Sequence, residues 1–404
     1  MEIAIPNLRH LRVFLAVAEL KSITRASEHI FLSQPAITQA IAKLEGLLGA
    51  SLFERHSDGM YPTTAGEVWQ KRVSRAIDHI QRATQDIVKD NTLKERAPKN
   101  LIALISTTQL RALIAVSEAQ NFSIASRNLA VSQSSVHRAA RDLERLLGVV
   151  LFEKNSLGTS ATKAAQTLSK ATKLAFSELR QGIYEINALQ SKDVSMITVG
   201  SMPLARMTIL PKSILQFNER HPDVNINVTE GPYTDLLHHL RQGDIDIILG
   251  ALRHPTPADD VVQEELWAPP LSVVARKGHP LMGKQHISAK DLAEFAWVVP
   301  AKGTPTRQAF EDIFNDAGIA LPTRLVESSS QILIRELLIE SDRLTLISAH
   351  QVEREINIEL LNEINFPLDH TRRPIGLCVR KSWLPTVTQS HFLSLLRDIS
   401  ERFR

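Results

Sequence analysis

Residues 22–66 read SITRASEHIFLSQPAITQAIAKLEGLLGASLFERHSDGMYPTTAG. Just ahead of them Leu11, Phe14, Leu15 and Ala18 recur at helical spacing, which predicts an amphipathic first helix. A short second helix is expected over about residues 24–29. Ser33 supplies an N-cap for a third, Gln34 and Pro35 fall in its first turn, where a missing N–H costs little, and Gly49 ends it. At 100° per residue Ile37, Ala40, Ile41, Leu44 and Leu48 share one side, while Pro35, Thr38, Gln39 and Ala42 point away. A generic solvated face would carry Glu and Lys. This one is small and uncharged, with hydrogen-bonding groups and a flat surface able to press into a groove. Leu-Phe-Glu-Arg at 52–55, a turn holding Gly59, and then Thr63 read as strand, turn and strand: a wing.

The same order returns 99 residues later. Residues 11–66 align without a gap with residues 110–165, and 22 of the 56 positions are identical. Such self-similarity marks an internal repeat. In the second copy the outward positions of the third helix are Ser134, His137, Arg138 and Arg141, donors suited to phosphates or guanine edges. Between the copies, Lys94, Arg96, Pro98 and Lys99 read as a solvated connector. Long helical patterns follow each wing, over about residues 65–90 and 162–190, the second interrupted at Gly182. Their apolar positions, such as Val68, Val73, Ile77, Ile80 and Ile87, are sparse, as in helices that pair with one other helix. Helix, helix, turn, helix and wing, present twice, form the pattern of a winged helix-turn-helix pair.

These residues also carry a resemblance. The stretch 22–66, with its Ser-Gln-Pro-Ala run and the later Leu-Glu and Leu-Phe-Glu-Arg, is similar to the DNA-binding domain of LysR-type bacterial transcriptional regulators. The resemblance implies that the third helix reads the major groove, which assigns DNA contact to Ser33, Gln34, Pro35, Thr38 and Gln39. It assigns phosphate contact by the wing to Arg55 and Thr63. The second copy departs from the family pattern, with Ser134 in place of a proline and His137 in place of the usual serine. Its DNA-facing set, Gln133, Ser134, His137, Arg138, Arg141 and Lys154, is therefore expected to hold phosphates through Arg138, Arg141 and Lys154, and base reading by it stays open. Family members normally carry one such domain and pair through their long helices. Here the copies could pair within one chain, or each with its counterpart in a second chain.

From Met196 strands and helices alternate: MITVGSM, a helix over 211–220, VNINVTEG, LLHHLRQGD and IDIILGAL. That alternation predicts a doubly wound parallel sheet. The order resembles the effector-binding domain of the same family, which is similar in fold to periplasmic solute-binding proteins, with two α/β lobes and a cleft. In open α/β sheets, strand ends and helix N-termini converge on a crevice that favours anions. The corresponding loops hold Ser201, Met202 and Pro203; Tyr233 and Thr234; Arg253; Lys302; Ser328, Ser329 and Ser330; and Ser348. Arg253 and Lys302 are the expected neutralisers of a carboxylate. His238 and His239 point 100° apart, so they form no metal pair. Residues 373–380 read as a strand returning from the second lobe to the first before a closing helix over about 386–403.

Charge separates the two regions. Residues 1–195 hold 25 Lys and Arg against 18 Asp and Glu, whereas the remaining 209 hold 22 against 26. A basic half beside an acidic one suggests a polyanion-binding part joined to a sensor. Composition, 43% hydrophobic and 23% charged, is that of an ordinary globular chain. The apolar stretch 13–18 is too short for a signal sequence or a span. Cys378 is alone, with no disulfide partner and no ligand-spaced neighbour, as in a reducing compartment.

The expected architecture is α/β overall: winged helix-turn-helix domains at 6–66 and 105–165, linker helices at 67–92 and 166–192, and a bilobal effector-binding domain at 196–404. The expected function is transcription regulation in the cytoplasm, with double-stranded DNA and an organic-anion effector as ligands. A homo-oligomer, dimer or tetramer, is expected, and RNA polymerase is a candidate partner; no cofactor, metal or membrane is called for. An enzyme fused to DNA-binding modules is disfavoured, since the chain shows no nucleophile elbow, phosphate loop, redox Cys pair or HExxH. An architectural DNA protein with an unresponsive effector lobe remains the alternative.

Overall fold

The computed structural model describes residues 4–89, 101–156 and 158–403. The connector bearing Lys94, Arg96, Pro98 and Lys99 lies outside the described residues. Contacts divide the chain into two units. The first runs to Ile197 and takes in Asp223–Asn225 and Arg241–Asp244; the second holds the rest.

Unit one opens with α1 (Leu8–Leu20), α2 (Ile23–Ile30), α3 (Gln34–Leu48), β1 (Phe53–His56), β2 (Gly59–Pro62) and α4 (Thr64–Lys89). The order then repeats as α5 (Thr107–Ala119), α6 (Phe122–Asn128), α7 (Gln133–Leu147), β3 (Phe152–Asn155), β4 (Gly158–Ala161) and α8 (Lys163–Leu189). Local chemistry explains the boundaries. Asn7, Ser22, Ser106, Asn121, Ser132 and Thr162 each accept a backbone N–H at the start of a helix, and Gly49 and Gly148 close α3 and α7 in the left-handed region at φ 64° and 68°. Ser33 corrects one expectation. It occupies the extended position before α3 but makes no side-chain cap bond; its counterpart Ser132 does, accepting from Ser135 N–H.

The repeated Leu-Glu has a structural task. Glu45 Oε1 accepts from Leu52 N–H at 2.8 Å, and Glu144 Oε1 from Leu151 and Phe152 N–H at 2.9 and 3.2 Å, so each carboxylate ties its third helix to the first strand of its wing. The wing glycine is explained as well. Met60 N–H donates to the Lys21 carbonyl, and a Cβ on Gly59 would sit 2.6 Å from that same oxygen. Gly158 approaches the Gln120 carbonyl in the same way.

Both copies contribute to one core. The buried seam of α4 is Trp69, Val73, Ala76, Ile80, Ala83 and Ile87, spaced four and three alternately, and that of α8 is Leu168, Thr172, Ala175, Leu179, Gly182 and Ile186. Each is the other advanced by 99 residues, and the alternating spacing is that of a coiled-coil seam. Arg72, early in α4, meets Glu178 and Glu185, late in α8, so the helices run antiparallel. Two expectations are corrected here. Val68 and Ile77 flank the seam, half-buried, because the stripe follows Trp69 and Ala76. Gly182 does not interrupt α8; a Cβ there would lie 3.0 Å from Arg72 Cβ and Cγ and from Trp69 Cε3, so the glycine permits the close approach of α4.

Unit two comprises β5 (Met196–Ser201), α9 (Pro203–Met207), α10 (Ile209–Arg220), β6 (Asn225–Glu230), α11 (Tyr233–Gln242), β7 (Ile247–Ala251), β8 (Val261–Trp267), β9 (Ser272–Arg276), α12 (Ala289–Ala293), β10 (Trp297–Val299), α13 (Pro305–Asn315), β11 (Leu325–Glu327), α14 (Gln331–Ile339), β12 (Leu344–Ile347), α15 (Glu353–Asn357), β13 (Leu361–Ile364), β14 (Ile375–Arg380) and α16 (Val387–Ser400). They build two five-stranded sheets, ordered β6-β5-β7-β14-β8 and β11-β10-β12-β9-β13. The sheets are mixed, not wholly parallel as expected. β5 pairs with β7, and β10 with β11 and β12, in parallel; β14 runs against β7 and β8, and β9 against β12 and β13. The expected return of the chain to the first lobe is β14. Among the described residues no helix is long and apolar enough to cross a membrane, and no group of three His, Cys, Asp or Glu could hold a metal.

Candidate functional site

The outward face of α3 is as its periodicity predicts: Ile37, Ala40, Ile41, Leu44 and Leu48 are buried, and Pro35, Thr38, Gln39 and Ala42 are exposed. Gln34, Pro35, Thr38, Gln39 and Ala42 line one open hollow with Ile23 of α2 and Arg55 of β1. Within it Gln34 Nε2 donates to Thr24 Oγ1 at 3.3 Å and Thr38 Oγ1 to the Gln34 carbonyl at 3.1 Å, which orders both side chains. Gln39 makes no side-chain hydrogen bond to any described residue, and Arg55 extends its guanidinium from an exposed strand position. Thr63 stands apart from this hollow. Its hydroxyl donates to the Ser51 carbonyl at 2.7 Å and accepts from Gly66 N–H at 3.0 Å, so it caps α4.

α7 presents a different face. Gln133, Ser134, Arg138 and Arg141 are exposed, as is Lys154 on β3. Ser134 Oγ is hydrogen-bonded to Ser132 Oγ at 3.0 Å, either hydroxyl being able to donate, and Arg141 Nη1 donates to Glu144 Oε2 at 2.9 Å while staying 66% exposed. His137 corrects the expectation of a free outward donor. Its ring stacks on Phe122 with centroids 3.8 Å apart and planes 11° from parallel, leaving it half-buried. The cause is a paired replacement, since Phe122 and His137 stand where the first copy has Ile23 and Thr38.

In unit two the ends of β5, β6 and β7 and the start of β14 lie at one edge of their sheet. Gln263 braces this edge, accepting from Arg253 N–H at 2.9 Å and donating to its carbonyl at 2.8 Å. The Arg253 guanidinium lies 5.0 Å from the centre of the Tyr233 ring, and its Nη1 is buried with no hydrogen-bond partner. Tyr233 Oη is likewise buried, with the Cys378 thiol beside it, and burial first, then that thiol, raises its pKa. Arg373, just before β14, escaped the sequence reading. Burial, and then the neighbouring charge of Arg253, press its pKa down to about 10. No described carboxylate forms an ion pair with Arg253 or Arg373, so two guanidinium groups share a partly dry edge without a counter-charge. The only available signal was topological, since Arg373 follows from β14 lying beside the end of β7.

Other expected cleft residues are distributed around this edge. Ser201 is buried at the end of β5, with Met202 and Pro203 half-buried behind it. α9 packs on the turn Ala349–Val352, which brings Ser348 of the second lobe toward them; Ser348 Oγ is buried with no partner. Ser330 caps α14 by accepting from Leu333 N–H, and Ser328 Oγ accepts from Ser330 N–H, so these two hydroxyls serve local structure. Ser329, Thr234 and Lys302 are exposed, and Lys302 makes no ion pair with a described residue. Cys378 is 1% exposed and raised to about 11, mainly by burial.

Residues 8–67 and again 107–166 match the model of the bacterial regulatory helix-turn-helix protein, lysR family, and residues 191–400 match that of the LysR substrate binding domain. The chain is similar to the HTH-type transcriptional regulator GalR of Pseudomonas putida, 34% identical over 399 residues that cover 99% of this chain and 98% of that protein. It is also similar to the HTH-type transcriptional regulator PcaQ of Agrobacterium fabrum, 25% identical over 73% of this chain and 94% of that one. Among solved structures, a full-length OxyR variant from Pseudomonas aeruginosa shares the fold at 22% identity and a TM-score of 0.52, over 73% of this chain and 94% of that chain.

Proposed function

Because this chain belongs to the LysR family of DNA-binding transcriptional regulators with a substrate-binding domain, we propose that it reads DNA through two winged modules and answers to an organic anion bound between the lobes of unit two. The observation that carries the DNA reading is the single hollow in which Gln34, Pro35, Thr38 and Gln39 meet Arg55. A side-chain amide can accept from and donate to adenine at once, and an arginine beside it neutralises a phosphate. In the second module Arg138 and Lys154 are free to hold phosphates, and Arg141 reaches solvent from its pair with Glu144. Thr63 contributes by fixing the wing.

For the effector, two guanidiniums without a counter-charge at Arg253 and Arg373, with the buried hydroxyls of Tyr233 and Ser348, form a donor set without a carboxylate. A carboxylate supplies what they lack. An effector moves the regulator only through its differential affinity for two states, and lobe closure around such an anion offers one. Oligomerisation and a contact with RNA polymerase belong to the same reading.

Selecting duplexes from a random pool with the full chain tests the function. Enrichment of a sequence bound less well by Gln39→Ala is expected, and a pool left unenriched sinks the reading.

A further inference from the structure

The antiparallel pair of α4 and α8 is geometrically symmetric but chemically one-sided. Arg72, 0% exposed, donates from Nε and Nη2 to Glu185 at 2.7 and 2.8 Å, and from Nη1 to Glu178 and Gln181, each at 2.9 Å. Arg75 closes the cluster on the other oxygen of Glu178 at 2.7 Å. Advancing Arg72 by the 99-residue offset of the repeat gives Ala171. Moving Glu178, Gln181 and Glu185 back by the same offset gives His79, Arg82 and Asp86. The cluster therefore exists at one of two equivalent places.

This decides which helices can pair. Two copies of α4 against each other would set Arg72 opposite His79 and Arg82, keeping Asp86 in place of Glu185 but no carboxylate in place of Glu178. Two copies of α8 would set Glu178 opposite Ala171 and Leu174, the equivalents of Arg72 and Arg75. A buried charge without its counter-charge is strongly destabilising, and a polar group in an otherwise apolar seam selects one pairing over others. Only α4 with α8 offers the guanidinium two carboxylates and an amide, and Gly182 makes room for it.

We propose that this lock makes one chain a complete DNA-reading pair with unlike halves, whose partner is an asymmetric duplex: bases read under α3, phosphates held under α7. The inference rests on the DNA reading above. Where two identical subunits bind, the site's palindromy mirrors their two-fold axis; unlike halves remove that requirement.

Two measurements test it with the full chain. First, Arg72→Glu with Arg75→Glu, and separately Glu178→Arg with Glu185→Arg, should each lose about a hundredfold in binding to a duplex selected with the unaltered chain. All four changes in one chain should recover most of that loss, while co-expressing the two altered chains should not. Recovery by co-expression would mean that α4 of one chain meets α8 of another, overturning the single-chain pair. Folded protein that recovers in neither arrangement would overturn the lock. Second, duplex selection with the unaltered chain should enrich a smallest unit with base preference in one half. An inverted repeat with equal halves overturns the proposal, whereas no enrichment at all overturns the DNA reading beneath it.

Discussion

Leu8 and Thr107 stand 99 residues apart in the chain and touch: the Leu8 N–H donates to Thr107 Oγ1 at 3.1 Å, and that hydroxyl donates to the Pro6 carbonyl at 3.1 Å. The separation equals the offset of the internal repeat, so a position is bonded to its own equivalent. In a two-fold assembly that happens where the axis passes. Here the axis is internal and approximate, since only one of the two equivalents carries a hydroxyl.

Thr107→Val keeps the shape of this contact and leaves a half-buried N–H without an acceptor. The expected loss is about 1 to 2 kcal/mol of unfolding free energy. Chemical denaturation of the full chain checks it, and Thr107→Ser should retain most of the difference.

Gly182→Ala sets a methyl 3.0 Å from side-chain carbons of Arg72 and Trp69, tight enough that those side chains must give way by a few tenths of an ångström. The better helix propensity of alanine returns about 1 kcal/mol, whereas overpacking a seam costs about 1 to 3 kcal/mol. A net fall in melting temperature is expected. Ala83→Gly, the same exchange in reverse on α4, tests the other side of the seam, where a small cavity and the glycine itself should both destabilise.

Base reading and phosphate holding separate by mutation. Gln39→Ala should cost about 1 to 3 kcal/mol on a selected duplex and little on random DNA, while Arg138→Ala should weaken both alike and flatten the salt dependence. Fluorescence anisotropy at several salt concentrations reads both. Equal losses for Gln39→Ala on the two DNAs would remove α3 as the base reader.

Arg373 ties stability to ligand binding. Its pKa is depressed from the ordinary arginine value to about 10 in the folded chain, so the folded state holds this proton less tightly than the unfolded state. For a base shifted downward, unfolding takes up protons above the folded-state value: stability rises as pH climbs past about 10, and at neutral pH the strain is fully present. Arg373→Met should therefore stabilise the ligand-free protein, by about 1 kcal/mol once solvent screening is discounted. The same variant should lose the thermal shift produced by small carboxylates such as benzoate or citrate. A ligand at 100 times its dissociation constant adds about 2.7 kcal/mol to the unaltered chain. A variant that keeps the full carboxylate shift would place the anion elsewhere.

What could be read in advance was local. The caps, the faces of α3 and α7 and the wings follow from spacing within a few residues, and the duplication follows from comparing the chain with itself. Arg72 was hidden because its stretch, Gln70-Lys71-Arg72-Val73-Ser74-Arg75, looks like a solvated face, and its partners lie 106 to 113 residues away. His137 looked outward by helical geometry until Phe122, 15 residues earlier, turned out to supply a stacking surface. Arg373 became visible as a candidate ligand group only when β14 was seen to run against β7. In each case the deciding neighbour belongs to another element, which periodicity along one segment cannot reveal.

The one-sided cluster also bears on how the chain can change over time. A deletion of 99 residues that removed either copy would leave a shorter regulator of familiar outline. It would keep a long helix whose charges were shaped by a mate no longer present: a lone α8 would meet its twin with Glu178 facing an alanine, and a lone α4 would meet its twin with His79 and Arg82 facing Arg72. The duplication is thereby hard to reverse, since either survivor would need several compensating substitutions in the seam before it could pair with itself.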